Sequence, residues 1–135
     1  ILKSFMEEDE TWAVVLRSNS QLLGSFGLHR DAMRGSEIKA RALGYVLAEE
    51  AWGHGYATEA AQRVLSFAFE EFGLELVSVC HFPFNARSRR VIEKCGFRYE
   101  GTIRHAYRRY DNTVLDSCCY SIMREEYLAL KENAQ

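Results

Sequence analysis

The sequence predicts an α/β (α+β) fold, a mixed sheet with helices packed on it, and three observations predict it. Apolar stretches of strand length recur along the chain and are separated by turn chemistry. One of them, Leu43 to Leu47, leads into a glycine-rich turn that opens the best amphipathic helix in the chain. Read end to end, the elements run β-β-β-α-β-α-β-β, and strands interleaved with single helices bury both faces by returning to one sheet.

Each element has a local reason. Trp12 to Leu16 and Leu22 to Leu28 read as strands, and Arg17-Ser18-Asn19-Ser20-Gln21 between them makes an antiparallel hairpin. Arg30 to Arg41 is polar, carries Gly35-Ser36 and reads as a mobile connection into a third strand, Arg41 to Leu47. From about Ala57 to Phe72, residues Ala57, Ala60, Ala61, Val64, Leu65, Ala68 and Phe72 share one helical face, with Gly73 as the stop. Leu74 to Phe82 is a buried strand ended by Pro83. Asn85 caps a short helix through Lys94-Cys95, with Val91, Ile92 and Cys95 as its apolar face and Gly96 at C′. Arg98 to Ile103 and Val114 to Met123 are extended, and alternation sends Cys118 and Cys119 to opposite faces. The basic run Arg104 to Arg109 reads as a loop, and Arg124 to Lys131 as a terminal helix.

Composition narrows the function classes. A chain of 135 residues, 47% hydrophobic and 27% charged, suits one globular domain spanning residues 1–135. With 17 basic and 19 acidic residues the net charge is −2, so no general field draws in nucleic acid or an anionic membrane. No apolar run approaches the ~20 residues that span a bilayer. Glu7-Glu8-Asp9-Glu10 follows the start too closely for a signal peptide, and the opening at Ile1 suggests a trimmed domain whose first elements are missing. Cys80, Cys95, Cys118 and Cys119 form no C-x-x-C pair and lack the set of neighbouring histidines a zinc site would require, so no metal site is expected. They read as the reduced thiols of a cytoplasmic protein.

The chemistry concentrates in Gly53-His54-Gly55-Tyr56-Ala57-Thr58. Glycines let a backbone approach a ligand closely, and the first amides of the following helix lack intrahelical acceptors at the positive end of its dipole. Such a turn suits a phosphate or pyrophosphate, with His54 as an extra donor, although an ordinary strand-to-helix turn also asks for glycine. A dinucleotide fingerprint is excluded because its sixth position is Thr58, and a Walker loop because no Gly-Lys-Ser/Thr follows.

Two stretches taken together are more specific. Tyr45-Val46-Leu47 with Trp52-Gly53-His54-Gly55-Tyr56-Ala57-Thr58-Glu59-Ala60 precedes Asn85-Ala86-Arg87-Ser88, which continues to Val91-Ile92-Glu93-Lys94-Cys95-Gly96-Phe97 and Glu100-Gly101. In order and separation they resemble the GNAT acetyltransferases over roughly residues 12 to 124, particularly the RimJ/RimL-type branch that acetylates protein N-termini. The resemblance implies the GNAT fold, a mixed, mostly antiparallel sheet whose third and fourth strands splay apart. It also implies acetyl-CoA as cosubstrate: the Gly53–Thr58 loop cradles the pyrophosphate, backbone groups of Val46 and Leu47 pair with the pantetheine arm, and Asn85 contacts that arm. Trp52 stands where the family usually opens its signature with Gln or Arg. Arg87, with Arg89 and Arg90, either reaches the phosphates or forms a solvated helix face.

The implied reaction is direct attack of a neutral primary amine on the thioester. Many relatives place a tyrosine acid seven residues after the asparagine, a position that is Ile92 here. In the RimJ/RimL branch the serine of Asn-x-x-Ser resembles its replacement, which points to Ser88, itself also a natural helix-start residue. Glu49 and Glu50 are candidate general bases or solvated loop carboxylates. His29 and His81, at strand ends, either face the acceptor or serve structure. The acceptor expected is a protein or peptide N-terminal amine. A small amine (polyamine, aminoglycoside or amino acid) and a non-catalytic acyl-CoA-binding module are the rivals, and a homodimer through sheet edges fits the family.

Overall fold

The computed structural model describes residues 2–4 and 10–133. Ile1 and most of the acidic run, Glu7 to Asp9, lie outside them, as do the last two residues. The strands are β1 (Leu2–Ser4), β2 (Glu10–Val15), β3 (Leu22–Arg30), β4 (Ala40–Leu47), β5 (Leu76–His81), β6 (Arg98–Arg108) and β7 (Val114–Met123). They form one sheet in the order β1-β2-β3-β4-β5-β7-β6. The helices are α1 (Tyr56–Ser66), α2 (Ala86–Lys94) and α3 (Arg124–Asn133), and a 3₁₀ turn, Glu49–Ala51, precedes the glycine loop.

The predicted hairpin is present as the antiparallel β2–β3 pair. Only β4 and β5 pair in parallel, because α1 crosses over between them, so the sheet is mixed and mostly antiparallel as expected. Helix α1 buries Ala60, Ala61, Val64 and Leu65 in a core shared with Phe26, Leu28, Val77 and Ile122 from the sheet. The two alanines bring the helix backbone close to the strands, while each fully buried large side chain contributes about 1.5–3 kcal/mol.

Three elements differ from the sequence reading. The first helix stops at Ser66 and continues as a π turn, Phe67–Glu71, closed by the Phe72 N–H donating to the Phe67 carbonyl at 2.8 Å. The extra residue rotates the apolar stripe, so Phe67 packs edge-on to Trp12 while Phe72 leaves the buried face and carries the Arg41 guanidinium. The strand expected to end at Ile103 runs on to Arg108, so most of the basic run is edge strand rather than loop. Irregularities at Tyr99/Gly101 and Ile103/Tyr107, with His105 at φ 53°, break the two-residue alternation that would have revealed it.

The third is the connection after β3, which reads as mobile and is instead pinned. Buried Asp31 accepts hydrogen bonds from Ser78 Oγ at 2.8 Å, the Met33 amide at 3.0 Å and Arg34 Nη1 at 2.8 Å. Arg34 reaches on to Glu100 at 2.8 Å, tying the loop to β6. Burial alone would raise the Asp31 carboxyl, but the bonds from Ser78, Met33 and Arg34 and the Arg34 charge outweigh it and hold it below its ordinary value. Asp31→Ala should therefore lower stability by about 2–4 kcal/mol at neutral pH, read from urea unfolding. Because the folded carboxyl titrates below the unfolded one, this contribution is complete above pH ~4 and lost as pH falls through the depressed value, so the gap between variant and wild type should narrow in acid. A constant gap would place the effect in packing alone.

Candidate active site

Strands β4 and β5 pair only over Ala40–Leu43 and Leu76–Val79. Beyond that point Gly44 to Leu47 stays on β3, opposite Gly27 to Gly24, while Cys80 and His81 follow β7, opposite Cys119 and Cys118. Each strand is held by its outer neighbour, so the inner edges part and leave a wedge of backbone that no strand covers. Two cavities fill it. The larger, 710 Å³, lies between β4, the glycine loop and α2; the smaller, 230 Å³, lies between β4, β5 and the start of α2. Tyr45, Asn85 and Ser88 line both and so mark the junction.

On one wall of the larger cavity, Gly53 and Gly55 both adopt left-handed backbone, at φ 81° and 79°. A Cβ at either would meet nothing within 4 Å, so the handedness of the turn, and not lack of space, calls for glycine. Gly55 is the N-cap of α1, and the helix's first bond is from the Glu59 amide to the Gly55 carbonyl at 3.1 Å. The amides of Tyr56, Ala57 and Thr58 therefore precede the ladder, beside the cleft their residues line, with the positive end of the helix dipole behind them.

The opposite wall is α2. Arg87, Arg90 and Lys94 line the cleft at spacings of three and four residues, one helical face, and no carboxylate among the described residues lines it with them. Arg89 turns away to pair with Glu93 at 3.2 Å. A cleft with open amides on one side, three cations on the other and no opposing acid suits a polyphosphate ligand. Trp52, whose indole is indifferent to the loop's amide chemistry, proves to be a strut: Nε1 donates to the Leu47 carbonyl at 3.0 Å, and the Arg87 guanidinium rests 3.8 Å from its ring centroid. It ties β4, the loop and α2 together and holds Arg87 at the mouth.

At the junction Asn85 Oδ1 accepts the Ser88 amide at 3.0 Å, the expected N-cap, and its Nδ2 has no partner among the described residues. Ser88 Oγ lies 2.7 Å from the Tyr45 hydroxyl. The Tyr45 ring is stacked on buried Phe26, with centroids 4.7 Å apart and planes 7° from parallel. Burial raises the Tyr45 phenol above its ordinary value, only partly countered by the bond with Ser88, so it stays protonated at neutral pH and either hydroxyl can donate.

The remaining candidates divide. Val46, Leu47, Gly53, Gly55, Tyr56, Ala57, Thr58, Asn85, Arg87 and Ser88 all line the larger cavity. His54 does not; it is exposed and stacks on Tyr56 with centroids 5.2 Å apart. Glu49 and Glu50 occupy the 3₁₀ turn, exposed and outside both linings. His81 faces the smaller cavity, and His29 is not in its lining. The His81 Nδ1 lies 2.7 Å from the Phe82 carbonyl, which only accepts, so Nδ1 carries a proton, and Nε2 meets the Tyr120 hydroxyl at 3.1 Å. Cys80 also lines that cavity, 3.3 Å from Cys119 Sγ; burial first, then the Cys119 contact, push its thiol up to about 11. It is no ready nucleophile. Ile92 is fully buried in the core.

Comparison with known proteins agrees with this architecture. The family model described as an acetyltransferase (GNAT) domain matches residues 2–98. An uncharacterized N-acetyltransferase of Bacillus subtilis, YoaA, is 31% identical over 113 residues, covering 84% of this chain and 62% of the relative. YdaF of the same organism, described as a putative ribosomal N-acetyltransferase, is 34% identical over 112 residues, covering 81% of this chain and 57% of its own length. The crystal structure of a GNAT-family acetyltransferase from Bacillus anthracis superposes with a TM-score of 0.76 at 31% identity, over 86% of this chain and 67% of that one. The chain thus spans about three-fifths of the length of the curated relatives it matches. With parted strands, a glycine-loop cleft and a family match over residues 2–98, this chain belongs to the GNAT acetyltransferase family.

Proposed function

We propose that the chain is the catalytic part of an acetyl-CoA-dependent N-acetyltransferase of the RimJ/RimL type, acting on a protein or peptide N-terminal amine. The observation that carries this is the cation-lined cleft, lined by no carboxylate among the described residues, that meets a second, smaller cavity at Tyr45, Asn85 and Ser88. In this reading the amides of Tyr56, Ala57 and Thr58 and the cations of α2 hold the coenzyme A phosphates. The backbone of Val46–Leu47, apart from the Leu47 carbonyl that Trp52 occupies, and the Asn85 amide hold the pantetheine arm, and an uncovered β4 amide polarises the acetyl carbonyl. Acetyl-CoA supplies the thioester; the amine attacks its carbonyl from the smaller cavity, and Ser88 donates to the departing sulfur at the first turn of α2.

The acceptor class follows from proton bookkeeping. Among the described residues neither lining contains a carboxylate. A lysine-like amine with pKa ~10.4 is almost wholly protonated at neutral pH, whereas an α-amine near ~7.8 is neutral in about one molecule in ten. A site without a built-in acid partner suits the amine that needs least help. The likeness to YdaF, described as a putative ribosomal N-acetyltransferase, supports the same class. A role for Glu49 or Glu50 as base runs through water, since both stand outside the linings.

A panel of N-terminal peptides, spermidine, an aminoglycoside and free amino acids, followed by thiol release from acetyl-CoA, tests the reading. Turnover is expected on peptides with a free α-amine and lost when it is blocked, with Glu49→Gln and Glu50→Gln reducing kcat less than tenfold. Turnover on spermidine alone would overturn the acceptor, and turnover on no amine despite coenzyme A binding would favour a binding module. Arg90→Ala/Lys94→Ala should raise the KM for acetyl-CoA about three- to thirtyfold at low salt with kcat little changed, and the effect should shrink as salt screens the two charges. An unchanged KM would take the phosphates off that face of α2.

A further inference from the structure

At the junction of the two cavities α2 presents one hydroxyl, that of Ser88. A serine hydroxyl is a weak acid. It can hydrogen-bond a departing thiolate, but its own proton must be replaced as it is given up. The wall opposite α2 holds the group that can replace it. Tyr45 leaves β4 at the point where the sheet parts, crosses the junction of the two cavities and ends 2.7 Å from Ser88 Oγ.

The geometry points to Tyr45 as a positioning residue that acts through Ser88, orienting the serine hydroxyl toward the leaving sulfur and refilling its proton. This rests on the acetyltransferase reading above. Three features select the role. Of the two hydroxyls, the phenol is by far the stronger acid, so the favoured arrangement has Tyr45 donating and Ser88 accepting, which turns the Ser88 proton away from Tyr45 and toward the cleft. The Ser88 amide is bound by Asn85 Oδ1 at 3.0 Å, and the Tyr45 ring is clamped on Phe26, so neither partner has to be ordered during the reaction. The phenol is protonated at neutral pH even at its ordinary value, and burial, which disfavours the phenolate, drives it to recover its proton after each turnover.

The step balances. As the carbon–sulfur bond breaks, its electron pair stays on sulfur; the Ser88 proton moves to sulfur and the Tyr45 proton moves to Ser88. The acetylated nitrogen, which sheds one proton in becoming an amide, returns one to the phenolate through solvent. No oxidant, metal or further reactant is needed.

A double-mutant cycle on the whole chain tests this. Tyr45→Phe keeps the ring on Phe26 and removes only the hydroxyl, so the melting temperature and the dissociation constant for acetyl-CoA should stay near wild type while kcat falls ten- to a hundredfold. Ser88→Ala should lose a similar factor. The double variant should be no slower than the slower single one, because both substitutions cut one relay. Losses that multiply, a Tyr45→Phe rate within twofold of wild type, or a loss that appears only in the acetyl-CoA dissociation constant would each overturn the relay. A wild-type chain that binds coenzyme A and acetylates no amine would instead overturn the parent reading, and the relay with it.

Discussion

Everything at this site depends on where β4 and β5 stop pairing. Four residues of parallel ladder, Ala40–Leu43 against Leu76–Val79, fix the two strands relative to one another. The next residues are then claimed by outer neighbours, and a backbone edge is left with unmet hydrogen-bonding groups. A protein normally avoids such an edge inside a sheet, since an unpaired amide or carbonyl out of water costs roughly as much as a lost hydrogen bond. An extended ligand lying in the wedge restores the pairing. The wedge also aims Tyr45 and the start of α2 at one point, so the cavity and the chemistry have the same cause.

The two walls of the cleft divide the work of holding an anion. The glycine loop offers amides and a helix dipole, which cannot be neutralised by pH and need no ordering when the ligand arrives. The α2 wall offers long, mobile cations, of which Arg87 alone is preordered by its seat on Trp52. Trp52 thereby does more than the sequence suggests, because its indole N–H also fastens the loop to the parted end of β4. Substituting a smaller residue there would loosen three elements at once.

The fold was legible where one periodicity held over a whole element. The α1 face with its alanines, the Asn85 cap with Gly96, and the hairpin turn at 17–21 all obey local rules, and the structure follows them. Legibility failed where an inserted residue shifted the period: the π turn at Phe67–Glu71 threw Phe72 out of the core, and the irregularities in β6 disguised an edge strand as a basic loop. In the site, the residues that line the cleft were readable because backbone amides and glycines act through short-range sequence. Pairing across the wedge was not, since Tyr45 and Ser88 are 43 residues apart and meet only because the sheet parts between them. The likeness to relatives drew attention to an acid on α2, while the phenol sits on the facing strand. Glu49 and Glu50 show the converse, since closeness in sequence to the loop did not bring them to the cleft.

The central claim is that the wedge and its cation-lined cleft are a coenzyme A site. Thermal unfolding of the chain with coenzyme A and with acetyl-CoA, against ATP and NADH at equal concentration, tests it most directly. At ~100 times the dissociation constant a ligand bound only by the folded state adds ~2.7 kcal/mol, a rise of several degrees in a domain of this size. The account predicts that rise for both coenzyme A species and little for the two nucleotides, which lack a pantetheine arm to pair with the open edge of β4. Equal rises with all four would reduce the cleft to a general phosphate site, and no rise with any would contradict the account.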